Sequence, residues 1–262
     1  MPIELTKFER GELFPGDYHA ALRALQDRLS ALQLAQIVHR KRAIILFEGW
    51  EGAEKKSSLK RLAAAWDPCH FTTHSVSSGA GDDSDRHWLA RFWATLPPAG
   101  STTLFYRSWY RKAVDDRALG RGKAKDWARA YDEINEFEAQ QRDHGTLIVK
   151  LFFHVSATVQ DQRLRERAED SWRKWLVDSD DLRSQSAREA YLAAWQDIFA
   201  HTDTRWAPWH VIDANDRHAT RIAALTAIVE SLEQAIPLEP PADGDNVVRL
   251  AQQKQRQPAQ TG

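Results

Sequence analysis

The chain has 262 residues, 42% of them hydrophobic and 28% charged, which suits one large α/β domain with a well-solvated surface. A formal net charge of −1 excludes a globally basic nucleic-acid binder, so any anion site must be a local patch. The single cysteine, Cys69, excludes an intrachain disulfide and a cysteine-rich metal centre, and apolar runs such as 43–47 are too short to span a bilayer. The opening residues lack the basic and apolar stretches of a signal peptide, so no membrane association and a cytoplasmic protein are expected.

Asp17 is placed to cap a helix whose apolar stripe includes Leu22, Leu25, Leu29 and Leu32. Residues 43–47 read as a buried strand, followed by a Gly-containing loop and a helix over 57–66. A weaker strand covers 71–76, a Ser/Gly/Asp loop 77–84, and a helix 85–96, which Pro97 and Pro98 stop. Residues 102–106 form the next short strand. The basic stretch 107–125 shows no clear period. A helix over 126–142 leads into the strongest strand, 146–155. A charged helix over 157–175, a helix over 187–199, a strand at 209–213 and a helix over 217–235 complete the pattern. Strands alternating with helices, each crossover long enough for a helix, predict a parallel sheet covered on both faces. The segment 238–262 loses all hydrophobic period and reads as a disordered tail, leaving 1–237 as the folded domain.

The loop from Gly49 to Ser57 joins the first strand to a helix. Glycines there let backbone N–H groups curl around a phosphate, a lysine adds charge, and a hydroxyl assists. Gly49, Gly52, Lys55, Lys56 and Ser57 supply these parts, but Glu54 stands where a glycine should precede the lysine. A carboxylate at that point opposes phosphate, and a side chain restricts the backbone angles that glycine permits. On this segment alone, an ordinary surface loop is an equal reading.

Further motifs change that balance. Residues 49–56 (GWEGAEKK) are similar to G-x-D-A-A-G-K-G, and Lys60-Arg61 follows as a basic pair. Residues 104–110 (LFYRSWY) resemble L-F-D-R-S-W-Y. Asn135-Glu136-Phe137-Glu138, residues 143–150, and His201-Thr202-Asp203-Thr204 with Ala207-Pro208-Trp209 complete the set, in order, over roughly residues 17 to 235. Together they resemble the polyphosphate kinase 2 family, in particular its polyphosphate:AMP phosphotransferases.

The resemblance implies a P-loop kinase-like α/β fold with a helical lid, here about 107–125. It also implies transfer of a phosphoryl group between inorganic polyphosphate and a nucleoside mono- or diphosphate, with Mg2+ as cofactor, in a homo-oligomer. Carried over by position, Lys55 contacts the transferring phosphates, Glu51 replaces the aspartate that assists metal or phosphate, and Arg107 is the phosphate-binding arginine. Lys60, Arg61, Arg111 and Lys112 are the candidate polyphosphate track. Three positions depart from the pattern: Glu54 and Lys56 replace glycines, and Tyr106 replaces an aspartate. A tyrosine is neutral near pH 7 and cannot serve as that carboxylate. A catalytically impaired relative that binds polyphosphate or a partner protein is therefore the alternative reading.

Other groups read more blandly. The cluster Arg163, Arg165, Arg167, Arg173 and Lys174 is interleaved with Glu166, Glu169 and Asp170, as in a solvated, salt-bridged helix. Cys69, His70 and His74 lack the further ligands a metal site needs. His201 belongs to a turn held by its Thr and Asp neighbours. Most of the 11 tryptophans read as packing anchors.

Overall fold

The computed structural model describes residues 3–77, 85–121, 123–176 and 179–242. Most of the 77–84 loop and the tail beyond residue 242 lie outside them. Helix α1 (Tyr18–Val38) starts where the Asp17 carboxylate accepts bonds from the backbone N–H groups of His19 (2.8 Å) and Ala20 (3.1 Å). Its Leu22, Leu25, Leu29 and Leu32 are all buried. Strand β1 (Arg42–Gly49) follows, then α2 (Lys55–Ala63) and β2 (Phe71–Ser75). Next come α3 (Ala90–Trp93), β3 (Thr102–Tyr106), α4 (Tyr110–Ala118), α5 (Ala124–Asp143) and β4 (Thr146–His154). The chain continues through α6 (Ala157–Glu169), α7 (Ser179–Ser186), α8 (Arg188–Thr202), β5 (Trp209–Asp213) and α9 (Arg217–Ala235).

The five strands form one parallel sheet in the order β2-β3-β1-β4-β5. β1 is central and its six residues 43–48 are buried, which is why this strand reads as a continuous apolar run and not as an alternation. Side chains such as Ile44, Phe47, Phe105 and Phe152 are wholly buried, each contributing about 1.5–3 kcal/mol of transfer free energy. Because β1 neighbours β3 on one side and β4 on the other, the chain reverses its winding there. A crevice opens beyond the carboxyl ends of these strands, where ligands bind in this class of sheet.

Two expected helices come out shorter. Over 85–96 only the single turn of α3 forms. It lacks a side-chain cap and meets two prolines, and one turn already buries Leu89 and sets Phe92 edge-on to Phe105 and Trp109. The 157–175 helix stops at Glu169. Asp170 is extended and its carboxylate accepts from the N–H groups of Trp172 (2.9 Å) and Arg173 (2.7 Å), starting a separate 3-10 turn at Arg173–Leu176. An aspartate is more stabilising as a cap than inside a helix. The basic stretch hides α4 because Tyr110, Ala113 and Val114 make its buried face, while its charges pair with acids along and across the helix.

Candidate active site

The loop after β1 makes a sharp entry. Gly49 has φ of +112°, and a Cβ there would lie 2.3 Å from the Phe153 carbonyl oxygen, so only glycine lets β1 leave the sheet beside β4. The Trp50 N–H bonds that carbonyl (3.1 Å), and the Trp50 indole donates to Nδ1 of His154 (2.9 Å). An indole can only donate, so His154 carries its proton on Nε2 and donates it to Glu9 (2.8 Å). Burial, opposed by Glu9, holds His154 below its ordinary pKa, which keeps the ring neutral in this role. The segment before α1 thus fixes the floor of the loop.

Lys55 is buried at the start of α2. Its Nζ donates to the carbonyls of Gly49 and Trp50 (2.6 Å each) and to Glu51 Oε1 (3.1 Å). The same oxygen accepts from Arg107 Nη2 at 2.6 Å and Nε at 3.2 Å. The other Glu51 oxygen accepts from the Tyr106 hydroxyl at 3.1 Å. Burial alone would raise the pKa of Glu51, but Lys55 and Arg107 reverse that and hold it well below the usual carboxylate range. Burial pulls Lys55 down, with Glu51 opposing. One carboxylate therefore faces two cations.

Arg107 has φ of +61°, an uncommon conformation for a side-chain-bearing residue, held by its N–H to Phe47 O (3.1 Å). The next residue is pinned by Glu48, whose Oε1 accepts from the Ser108 N–H (2.6 Å) and hydroxyl (2.7 Å). Burial pushes the Glu48 pKa up, and Ser108 opposes that. The second motif thus divides by function. Tyr106 and Arg107 reach Glu51, whereas Trp109 and Tyr110 are wholly buried and donate to Glu138.

Glu54 has φ of +64°, the conformation the sequence reading reserved for glycine, and its side chain does not oppose the site as a bare charge. It accepts from Ser57 and from Arg221 Nη2 (2.6 Å), with Arg217 Nε at 3.6 Å. A cavity of about 330 Å³ opens between this loop, α6 and α9. Glu51, Gly52, Lys55, Lys56, Ser57 and Lys60 line it from the loop and α2, together with Tyr106. From the far side come Arg163, Arg167, Arg173, Arg217 and Arg221. Among the described lining residues eight cations stand against Glu51, Glu54 and Glu166, an excess of positive charge that favours anions.

Gly49, Arg61, Arg107, Arg111 and Lys112 are not among the lining residues. Arg107 lies beneath Glu51, and Arg61 is on the exposed side of α2, its carbonyl accepting from Gln26. Arg111 pairs with Asp115 (2.8 Å), Lys112 with Asp116, and Arg117 with Asp197 (2.8 Å). None of the described residues from 108 to 125 lines the cavity.

The structure corrects the reading of the 163–174 cluster as a plainly solvated helix face. Arg163 is buried and donates to the carbonyls of Gly52 (2.8 Å), Ala214 (2.8 Å) and Asn215 (2.6 Å), tying the loop to the end of β5. Arg167 and Arg173 open onto the cavity, while Glu166 pairs with Arg217 (2.9 Å). Arg217 and Arg221 carried no motif signal. They sit in the first turns of a helix that follows a strand, so a parallel sheet delivers them to the same end as the first loop.

His201 lies in the last turn of α8 and not in the turn expected of it, bonding the Asp197 carbonyl (2.7 Å) and stacking on Tyr131; the turn follows the helix, where Asp203 accepts from the Trp209 N–H (2.8 Å). Cys69 is exposed, and His74 stacks on Phe105. Among the described residues no three His, Cys, Asp or Glu side chains come together to hold a metal. Both Glu51 oxygens are already engaged, so these residues do not form a ready site for a hard cation that takes six or more oxygens. No described helix is long and apolar enough to cross a membrane.

Known proteins are similar to this chain in sequence and in fold. A polyphosphate:AMP phosphotransferase of Pseudomonas syringae pv. tomato is 34% identical over 219 residues, 84% of this chain and 44% of the relative. ADP-polyphosphate phosphotransferase 2 of Rhizobium meliloti is 30% identical over 216 residues, 82% of this chain and 71% of the relative. The chain spans about half the length of several curated relatives it matches. The crystal structure of polyphosphate kinase 2 from Arthrobacter aurescens TC1 superposes with a TM-score of 0.85 at 26% identity, covering 95% of this chain and 89% of that one. The family model described as Polyphosphate kinase 2 (PPK2) matches residues 13–239, the span that holds the sheet, the loop and the cationic wall, and the chain belongs to that family.

Proposed function

We propose that this chain transfers a phosphoryl group between inorganic polyphosphate and a nucleoside mono- or diphosphate, with the cavity above the β1–α2 loop as its active site. The observation that carries this reading is the convergence of cations from three elements on one loop: Lys55, Lys56 and Lys60, then Arg163 and Arg167, then Arg217 and Arg221. Phosphoryl transfer asks mainly for positioning and charge neutralisation, and an array of fixed cations in a partly enclosed cavity supplies both. Membership in a family whose curated relatives carry polyphosphate phosphotransferase names supports the substrate class.

In this reading Lys55 and Arg107 set the positive potential beneath the reacting phosphates, and Glu51 fixes their positions. Lys56 and Lys60 extend the potential along the cavity as the start of a polyphosphate track. Arg61, Arg111 and Lys112 would join that track only by leaving the places they occupy here. Magnesium is the counter-ion we propose for the phosphate chain, carried in on its own oxygens. Glu51 would reach it only by giving up one of its partners. We place the protein in the cytoplasm, in keeping with its lone cysteine, and take it as a homo-oligomer on the family resemblance alone.

The test is an assay of purified protein with magnesium and long-chain polyphosphate, offering AMP, ADP, GMP and GDP separately. The reading predicts product that Lys55→Met reduces by about 10²–10³-fold. Saturable polyphosphate binding with no product for any acceptor would leave a binding protein instead.

A further inference from the structure

We propose that the Glu54 carboxylate is a resident anion of the phosphate site, holding Arg221 and Arg217 until a phosphate group of the substrate replaces it. Glu54 thereby sets how tightly this chain holds phosphate. The inference rests on the phosphate-site reading above and concerns a residue that departs from the family pattern.

Three observations carry it. Glu54 occupies the position immediately before α2, where the backbone of a phosphate-binding loop turns toward its anion, and it does so at φ of +64°. A glycine takes that conformation freely, whereas a glutamate takes it at a cost, so the side chain is not there to ease the turn. The carboxylate has the surroundings of a bound anion. One oxygen accepts from the Ser57 hydroxyl and from Arg221 Nη2 at 2.6 Å, and Arg217 Nε lies 3.6 Å from the other. Arg221 Nε also donates to Ser57 Oγ at 3.2 Å, so fork, hydroxyl and carboxylate close one ring. An arginine fork, a hydroxyl and a helix N-terminus are the groups that recognise phosphate.

The ring borders the cavity and is no part of the core: Glu54, Ser57, Arg217 and Arg221 all line it. Burial works against the charge on Glu54, but Ser57 and Arg221 hold its pKa below the usual carboxylate value, so the anion is in place at neutral pH. An incoming phosphate group carries more charge and more acceptor oxygens than one carboxylate. It can therefore take the two arginines, but it must first displace the resident group and then tolerate it nearby.

The experiment is a calorimetric titration of the wild-type chain, Glu54→Gln and Glu54→Gly with tripolyphosphate and, separately, ADP. Thermal melts without ligand establish that each variant is folded. Gln keeps the side chain's size and removes its charge; Gly also relieves the backbone. Both variants should bind at least one of the two ligands about tenfold more tightly than the wild type, since a like charge facing the ligand is removed. In Glu54→Gln/Arg221→Gln most of that gain should disappear, because the freed arginine is what the ligand uses. Wild-type binding with no gain, or weaker binding, in both single variants overturns the proposal and leaves the phosphate-site reading standing. Absence of binding by all three proteins overturns both.

Discussion

Two clusters in this fold are built from the same three groups: a carboxylate, a lysine and a tyrosine hydroxyl. In one, Glu138 accepts from Tyr110 (2.8 Å), Trp109 (3.0 Å) and Lys150 (3.1 Å), and Lys150 also donates to the Thr202 carbonyl (2.7 Å). In the other, Glu51 accepts from Tyr106, Lys55 and Arg107. The first is wholly buried and balanced, one anion to one cation, with every partner supplied by the protein. The second carries an additional cation and borders a cavity. Similar chemistry serves as framework where the cluster is wholly enclosed, and as a site where one face borders a cavity.

The comparison can be broken at either cluster. The largest effect on stability is expected at the closed one. Lys150→Met strands the Glu138 carboxylate in the core and should cost about 3–5 kcal/mol in urea unfolding, while adding Glu138→Gln should recover much of it. Lys55→Met should cost less stability, because Glu51 keeps Arg107.

Glu51 sharpens the contrast through pH. Its folded-state pKa is depressed, so its stabilisation is in full effect above the unfolded glutamate value of about 4.3 and is withdrawn as pH falls toward the folded value. Glu51→Gln should therefore lower stability at pH 7, and the gap to the wild type should narrow as pH drops below about 4. A gap that stays constant with pH would mean that the carboxylate's charge is not what the cluster uses. A smaller change is expected at the hinge between framework and site. Trp50→Phe removes the indole donor from His154 and should cost about 1–2 kcal/mol in thermal or urea unfolding.

The sheet was legible because its signals are local. Residues 102–106, 209–213 and 217–235 match their elements end to end. The site was legible only along the motifs. Lys55, Lys56, Ser57 and Lys60 follow one another in sequence and meet at one cavity, whereas Arg217 and Arg221 reach it only through the sheet topology. Arg163 is hidden in the sequence by the acids interleaved with it, and only the packed helix turns it inward to the Gly52, Ala214 and Asn215 carbonyls. Glu54 does take the left-handed backbone that favours glycine, but its charge is met by Ser57 of α2 and by Arg217 and Arg221 of α9, which the sequence does not show beside it.

The division between framework and site is tested most directly by the thermal shift that tripolyphosphate induces in the wild type, Lys55→Met and Lys150→Met. A ligand that binds only the folded state raises the melting temperature, by more the further its concentration exceeds its Kd. The account predicts a shift in the wild type, a much smaller shift in Lys55→Met from a nearly normal starting point, and an undiminished shift in Lys150→Met from a lowered one. A shift that survives Lys55→Met in full while Lys150→Met abolishes it would contradict the assignment of the open cluster as the site.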